Sequence, residues 1–361
     1  MPREERYLGF STRDLPDLRT AKAEWSKRLL LTPRIEFARA ARAPRIEAAR
    51  ALTAAVNPAP AQNVVGVGVG EKLTDDKHTG TLAVKFLVRI KYPESQLESK
   101  TCLPKMIDGL ATDVEEVGLF RRLRVAAARR KPHPRGAMPN PRTRIRPAQP
   151  GCSIGFQDPN NQFTMAGTFG AVVTDRTNLY ILSNNHVLAD ESRLQPGAPI
   201  FQPGLLDGGD VNTDKVAELT QAILLQSGAL NKVDCAMARA LKSNLISREI
   251  LWIGAPQGTT LAQMDMTVHK FGRTTGYRVG RVTSVDTDVS VQYETGTFTF
   301  SQQIILVGFG GQSFSDAGDS GSLILERGTN RAVGLLFAGS SSHTIANQIG
   351  EVLQALHVTL A

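Results

Sequence analysis

Residues 151–361 contain short runs rich in β-branched residues, and such runs predict β-strands. Valine and threonine are frequent in Val279–Tyr293 and Thr297–Val307, and glycine-containing turns separate such runs. Near the end, Ile349–His357 carries apolar residues at the spacing of one helix face. The pattern predicts a mainly β domain that ends in one amphipathic helix.

Residues 1–57 are rich in alanine, arginine and glutamate, and they predict a helix from about Ala21 to Val56. Pro33 and Pro44 interrupt this helix because proline lacks the amide proton of the helical ladder. The helix has a modest apolar face. That face either packs onto the next domain or contacts another copy or a partner, and the pattern favours neither.

The middle of the chain changes character twice. Residues 58–118 predict a small α+β module, since Leu82–Ile90 alternates like a strand and a proline-led turn or short helix follows at Tyr92–Glu98. Residues 119–150 are rich in arginine and proline, which predicts an extended, poorly packed linker. The chain thus divides into a helical region (1–57), a module (58–118), a linker (119–150) and a β domain (151–361).

The positive charge of the chain is concentrated in that linker. The formal net charge is +8, and ten Arg or Lys lie between Glu116 and Asp158 without any acidic residue, so the remainder carries −2. Ten cations would attract a phosphate backbone. However, residues 121–150 hold no aromatic side chain for base stacking, so we do not expect nucleic acid as a partner.

Composition narrows the class of protein further. An apolar fraction of 41% and a charged fraction of 21% are typical of a soluble protein with a real core. No stretch reaches the roughly 18 apolar residues of a membrane span, and residues 1–30 show no apolar signal-peptide segment. Three widely spaced cysteines agree with a reducing cytoplasm. The six histidines show no metal-ligand spacing, so we expect no metal and no cofactor.

The strongest chemical signal is the segment Asp316-Ala317-Gly318-Asp319-Ser320-Gly321-Ser322. A serine hydroxyl becomes a useful nucleophile when a tight turn exposes it beside a base. Flanking glycines permit such a turn and let amide N–H groups converge on one point. Taken alone, the segment could equally be an ordinary loop.

Two further residues supply the partners that such a serine needs. His186 ends an apolar run, and Asp234 lies inside another, where a carboxylate is costly unless something pairs with it. The order His186, Asp234, Ser320, with gaps of 48 and 86 residues, is the order of chymotrypsin-like enzymes and differs from that of subtilisins and α/β-hydrolases. The three weak signals together favour a catalytic triad.

At this point the sequence resembles the trypsin-like serine peptidase family. Gly318-Asp319-Ser320-Gly321 matches its nucleophile motif, and Ser183-Asn184-Asn185-His186 matches its histidine motif. Residues 271–277 resemble a strand-turn motif of bacterial α-lytic-type members, and 333–339 the segment along which substrate aligns. The module followed by this domain also resembles an intracellular subgroup that includes narrow-leaf-type plant proteins and bacterial counterparts.

The resemblance implies a double β-barrel and a role for each residue. Ser320 would be the nucleophile, His186 the base and Asp234 the group that orients the imidazole, while the amides of Gly318 and Ser320 would form the oxyanion hole. The pocket for the residue before the scissile bond would be lined by Phe314, Ser315, Gly339 and His343. Because Phe314 stands where trypsin carries an Asp, we expect an apolar or small residue there.

The leading hypothesis is therefore a cytoplasmic serine endopeptidase that acts on proteins or peptides and is regulated by its N-terminal half or by homo-oligomerisation through the N-terminal regions. The alternative is a catalytically silent scaffold that binds peptides or partner proteins in the old cleft. A minority hypothesis concerns Asp319. In activated trypsin relatives the matching Asp pairs with a new N-terminus, and the basic linker offers a place for that cut.

Overall fold

The computed structural model describes residues 10, 13–31, 60–74, 77–97, 99, 102–123, 138–160 and 164–361. It begins with a helix, α1 (Leu15–Ser26), which continues as one π-helical turn (Lys27–Leu31). A short helix, α2 (Pro60–Asn63), leads into the first strand. The N-terminal helix therefore starts earlier than the predicted Ala21, and the rest of the predicted helix, residues 32–56, lies outside the described residues.

Before the β domain, the described residues form five strands. They are β1 (Val64–Thr74), β2 (Lys77–Val88), β3 (Met106–Ile107), β4 (Leu110–Glu116) and β5 (Arg121–Arg122). A 3₁₀ turn (Glu94–Gln96) occupies the predicted turn after β2. The backbone of residues 58–118 therefore forms strands where the alternation predicted them.

The first half of the β domain forms a sheet whose strand pairings follow an open path. Its order is β20-β8-β9-β13-β11-β10-β6-β7, where β20 spans Thr359–Leu360. A short helix, α3 (Asn185–Leu188), follows β9, and 3₁₀ turns lie at Leu205–Asp207 and Ser243–Leu245. The strands numbered here are β6 (Ser153–Phe156), β7 (Gly167–Thr168), β8 (Ala171–Thr174), β9 (Leu179–Ser183), β10 (Pro199–Phe201), β11 (Lys215–Ala222), β12 (Leu230–Asn231) and β13 (Ala236–Ala240).

Six strands of the second half close into an antiparallel barrel. The ring runs β14-β15-β16-β19-β18-β17 and returns to β14. The last helix, α4 (Ile349–Leu356), lies where the apolar spacing predicted it. The strands are β14 (Thr267–Gly272), β15 (Gly276–Gln292), β16 (Thr297–Gly308), β17 (Leu323–Glu326), β18 (Ala332–Gly339), β19 (His343–Gln348) and β20 (Thr359–Leu360). The prediction of a mainly β fold is confirmed.

The N-terminal strands extend the sheet of this barrel. β1 pairs antiparallel with β15 from Gly66↔Val289 to Gly70↔Ser284, and β2 and β4 continue outward from β1. Apolar residues of α1, β1 and β2 share one buried cluster with the barrel. On α1, the Lys22 ammonium lies 2.5 Å from an Asp288 carboxylate oxygen of β15. Of the two alternatives for the N-terminal helix, packing onto the next domain is therefore the one that its described residues show.

The prediction of a poorly packed linker is wrong for residues 119–123, where Phe120 and Arg122 are buried, and for residues 138–150. Arg144 and Arg146 both reach the carboxylate of Asp214, at 2.7 and 3.0 Å, and Ala148 is fully buried. The Arg146 guanidinium also donates to the carbonyl of Gln202. The density of arginine and proline predicted an extended, poorly packed segment, but these arginines have specific acceptors in Gln202, directly after β10, and Asp214, directly before β11. Residues 124–137 lie outside the described residues.

Candidate active site

Two neighbouring strands of the first sheet place His186 beside Asp234. His186 follows the end of β9, Asp234 precedes β13, and the two strands pair antiparallel with Ser183 opposite Ala236. The imidazole Nδ1 lies 2.6 Å from Asp234 Oδ2, and neither side chain is exposed to solvent. The sheet register therefore brings together two residues that are 48 positions apart in the sequence.

The Asp234 carboxylate is held by more than the imidazole. The amide of Asn185 donates to Oδ1 at 2.8 Å, and the hydroxyl of Tyr293, on the residue after β15, donates to Oδ2 at 2.7 Å. Burial alone would raise the pKa of Asp234, but His186 and these donors outweigh it, and the pKa lies below its ordinary value. Asp234 is thus an anion with a fixed orientation.

The sequence analysis did not identify Tyr293, or the asparagines that fix the backbone around the pair. The side-chain amide of Asn184 donates to the carbonyl of Asp234, and the amide of Asp234 donates to the side chain of Asn347, at 2.8 and 2.9 Å. A signal existed for Asn184, which belongs to the segment Ser183-Asn184-Asn185-His186 that the sequence analysis singled out. Tyr293 and Asn347 lie far away in sequence and carried none.

The Ser320 turn packs against the strand that leads to His186. Gly318 and Gly321 adopt φ values of +94° and +93°, which L side chains rarely adopt. A Cβ added to Gly321 would overlap the hydroxyl of Ser183, and the carbonyl of Ser320 accepts from the amide of Thr168 at 2.8 Å. Both halves of the β domain therefore meet at this turn.

The serine and the imidazole are not hydrogen-bonded to each other. Ser320 Oγ donates to the carbonyl of Phe337 at 3.1 Å. Within the described part of the chain, the buried His186 Nε2 has no hydrogen-bond partner. The serine hydroxyl is therefore directed to the backbone of β18 in this structure, and not to the imidazole.

Asp319 already has a cationic partner inside the folded chain. Its carboxylate lies 3.0 Å from the ammonium of Lys270 on β14, and both side chains are fully buried. The amides of Thr274 and Thr275 and the hydroxyl of Thr275 also donate to it. Burial alone would raise the pKa of Asp319, but these partners outweigh it and lower the pKa. The hypothesis that Asp319 waits for a new N-terminus is therefore wrong, because Lys270 occupies that role.

The four residues expected to line the specificity pocket lie at one end of the barrel. Phe314 is buried in the core, and the hydroxyl of Ser315 contacts the hydroxyl of Thr344 at 2.6 Å. Thr344 pairs with Gly339 across β18 and β19. His343 is also buried, and its Nε2 lies 2.9 Å from a carboxylate oxygen of Glu115 on β4. An acidic side chain from the N-terminal module therefore already faces His343.

A segment of the chain itself lies in the cleft. β5 pairs antiparallel with β18, with Arg122 opposite Ala338 and Arg121 opposite Gly339. The next residue, Leu123, accepts a hydrogen bond at its carbonyl from the amide of Gly318 at 2.9 Å. Ser320 itself has no exposed surface. The expected oxyanion donor is therefore occupied by a backbone carbonyl of the same chain.

Three solved structures illustrate what this fold is similar to. Thermobifida fusca Protease A is 16% identical, with 59% of this chain and 97% of that chain covered and a TM-score of 0.42. A glutamic acid-specific serine protease that uses a histidine triad in substrate binding is 18% identical, with 59% and 100% covered and a TM-score of 0.43. An α-lytic protease homologue, N4, is 21% identical, with 61% and 100% covered and a TM-score of 0.41.

These likenesses carry no inference about the activity of this chain. No family model matches the sequence, and no curated protein matches it. In the described ranges, no three His, Cys, Asp or Glu side chains group as metal ligands. None of the helices described above is both long and apolar enough to cross a bilayer. Any conclusion about function must rest on the geometry of the site.

Proposed function

We propose that the protein is a serine endopeptidase that hydrolyses peptide bonds of protein substrates through His186, Asp234 and Ser320. The observation that supports this most is the buried contact of 2.6 Å between His186 Nδ1 and Asp234 Oδ2, which leaves Nε2 without a partner among the described residues. An imidazole oriented by a carboxylate, with its other nitrogen available beside a serine turn, has the features of a general base.

The reaction follows from these positions. Ser320 Oγ turns from the Phe337 carbonyl to His186 Nε2, gives up its proton and attacks the substrate carbonyl carbon. The amides of Gly318 and Ser320 receive the oxyanion, and His186 returns the proton to the leaving amine. Water then hydrolyses the acyl-enzyme by the same steps. Asp234 stays ionised throughout and stabilises the imidazolium.

Regulation and location are parts of the same proposal. The N-terminal half is suited to regulate the cleft, since β5 lies in it and Glu115 contacts His343. Homo-oligomerisation through the N-terminal regions remains a second route. The resemblance to the intracellular subgroup, together with three cysteines that form no disulfide, supports a cytoplasmic enzyme. The partners are then protein or peptide substrates.

A digest of an unbiased peptide library tests the proposal and separates it from a silent scaffold. The full chain and an Arg122→Glu variant, which loses the ion pairs that hold β5, should both be incubated with the library. We expect cleavage products that are absent when Ser320→Ala is introduced into either protein. Peptides that bind the folded protein but are never cut would instead identify the scaffold.

A further inference from the structure

The chain presents its own residues 120–123 to the cleft in the arrangement of a substrate. β5 forms the extra antiparallel strand on β18, the segment that the sequence analysis expected substrate to follow. The other side of β5 is also bound, because the amide of Gln292 donates to the carbonyl of Phe120 at 3.0 Å. Main-chain pairing of this kind is how extended peptides dock on a sheet edge.

The position of Leu123 identifies the bond that faces Ser320. Its carbonyl accepts from the amide of Gly318, the expected oxyanion donor, at 2.9 Å. Its side chain packs against the core cluster that contains Phe314, and Leu123 Cδ1 lies 3.6 Å from the place of a Cβ added to Gly339. Leu123 therefore occupies the pocket expected for the residue before the scissile bond, and it is apolar, as expected there.

The preceding residues have sites of their own. The Arg122 guanidinium lies 2.6 Å from a carboxylate oxygen of Glu191 and 2.6 Å from one of Glu294. The side chains of Arg122 and Glu191 are only 5% and 1% exposed, so this contact is largely shielded from water. Phe120 is fully buried in a cluster that includes Phe337. By contrast, the side chain of Arg121 is exposed.

We infer that the cleft selects an apolar residue before the scissile bond and an arginine one place earlier, and that the protein cuts its own chain after Leu123. Glu191 and Glu294 are the residues that would recognise the arginine, because paired carboxylates match a guanidinium. This inference rests on the proposed function, since it requires Ser320 to be a working nucleophile.

The self-cleavage step balances with one water molecule. Ser320 Oγ bonds to the Leu123 carbonyl carbon while its proton passes to His186. The peptide nitrogen after Leu123 leaves as an amine with that proton, and an ester joins Leu123 to Ser320. Water hydrolyses the ester, which yields a Leu123 carboxylate, a free Ser320 hydroxyl and a new amino terminus at Arg124.

The N-terminal product would remain bound and act as an inhibitor. β1 stays paired with β15, and Lys22 of α1 stays paired with Asp288, so the fragment has contacts that do not depend on the cut bond. A bound product raises the effective concentration of Leu123 at the cleft. External substrates must therefore displace β5 in the cut protein as well as in the intact chain.

The first test compares the full chain with Ser320→Ala by intact mass and N-terminal sequencing. We expect the wild type to separate into residues 1–123 and 124–361, which elute together under native conditions, and Ser320→Ala to stay whole. A wild-type chain that stays whole, or is cut at another bond, overturns the inference.

A charge reversal at Arg122 tests the recognition, with Arg121→Glu as the matched control. We expect Arg122→Glu to slow self-cleavage about 10- to 100-fold, because both carboxylates would repel the new side chain. Arg121→Glu should cleave within about 3-fold of wild type, since that side chain faces solvent. Equal rates in the two variants overturn the role of Glu191 and Glu294. Circular dichroism of both variants checks folding.

Short peptides test the recognition of arginine without altering the protein. They also distinguish failure of this inference from failure of the proposed peptidase activity. An amide substrate with the sequence Phe-Arg-Arg-Leu should be cut about 10²-fold faster than Phe-Arg-Glu-Leu, with Phe-Glu-Arg-Leu close to the parent. If the protein digests the library but cuts none of these peptides, the inference is overturned and the proposed peptidase function stands. Absence of all Ser320-dependent cleavage, in wild type and Arg122→Glu alike, overturns the proposed function itself.

Discussion

Two buried carboxylates, Asp234 beside the first sheet and Asp319 beside the barrel, have similar surroundings but different partners. Both are fully buried, and both have a lowered pKa because nearby donors and a basic group outweigh the cost of burial. Asp234 faces the imidazole of His186, whose Nδ1 lies 2.6 Å from the carboxylate. Asp319 faces Lys270 and three donors from Thr274 and Thr275.

The difference lies in what the partner leaves available. His186 keeps one ring nitrogen without a partner among the described residues, so the Asp234 pair can act on a third group. Lys270, Thr274 and Thr275 already bind the Asp319 carboxylate. The pair therefore fixes the turn that holds Gly318 and Ser320. Burial and a shifted pKa therefore do not identify a catalytic carboxylate by themselves.

The largest effect should come from changing each carboxylate to its amide in turn. Asp234→Asn should lower kcat by about 10⁴ because the imidazole loses its orientation and its counter-ion, while the protein stays folded. Asp319→Asn should act on stability first. Enzyme kinetics and thermal unfolding, measured in the Arg122→Glu background, give the two effects. Equal losses of kcat and equal stability in the two variants would show that the two carboxylates do not differ in role.

Removal of the cation beside Asp319 should be costly in stability. Lys270→Met leaves a buried anion without its ion pair, and we expect a loss of about 3–5 kcal/mol in the free energy of unfolding. The double variant with Asp319→Asn should recover part of that loss, since no charge remains unpaired. Denaturant titration of the three proteins measures this, and additive losses would argue against the pair.

The oxyanion donor should respond to a change in backbone shape. Gly318 has φ +94°, so Gly318→Ala introduces strain of about 1–3 kcal/mol and moves the amide that meets Leu123. The loss of one such donor typically costs about 10²–10³ in rate. A variant with full activity on Phe-Arg-Arg-Leu would show that this amide does not act on the reacting carbonyl.

A smaller effect should come from the contact of Glu115, in the N-terminal module, with His343 of the barrel. This contact should weaken at acid pH. Burial works to raise the pKa of Glu115, but His343 and Lys85 outweigh it and lower the pKa from 4.5 to about 2. The carboxylate therefore stabilises the fold above about pH 4.5 and loses this contribution as the pH falls towards 2.

Glu115→Gln should flatten the pH dependence of stability within that window. At neutral pH we expect a loss of about 1–3 kcal/mol, because Lys85 and His343 lose a charged partner. Glu116→Gln, a change at the exposed neighbour, should retain the wild-type slope. Thermal unfolding from pH 2 to pH 7 measures the three proteins, and parallel curves for all of them would contradict the assignment.

The sequence predicted the parts of the fold that depend on local pattern. Strands β15 and β16 lie in the runs rich in valine and threonine that predicted them, and helix α4 lies where helical spacing predicted it. The meeting of His186 with Asp234 was predictable from residue order, because a buried carboxylate requires a partner. These features follow from periodicity and from the cost of burial.

The remaining features depend on contacts between distant segments, and no local pattern records those. No sequence pattern marked Lys270, although it neutralises Asp319 from 49 positions away. Arg122 belonged to a basic run that favoured a solvated linker, yet it pairs with Glu191 and Glu294. The pairing of β1 with β15 likewise joins residues more than 200 positions apart.

The central claim is that Ser320 is a nucleophile activated by His186 in a cleft that β5 covers. Labelling of the Arg122→Glu variant with a fluorophosphonate, followed by peptide mass mapping, tests it most directly. The account predicts an adduct on Ser320 that forms faster than in wild type and disappears in His186→Ala. A folded variant that carries no adduct, or carries it on another residue, would contradict the claim.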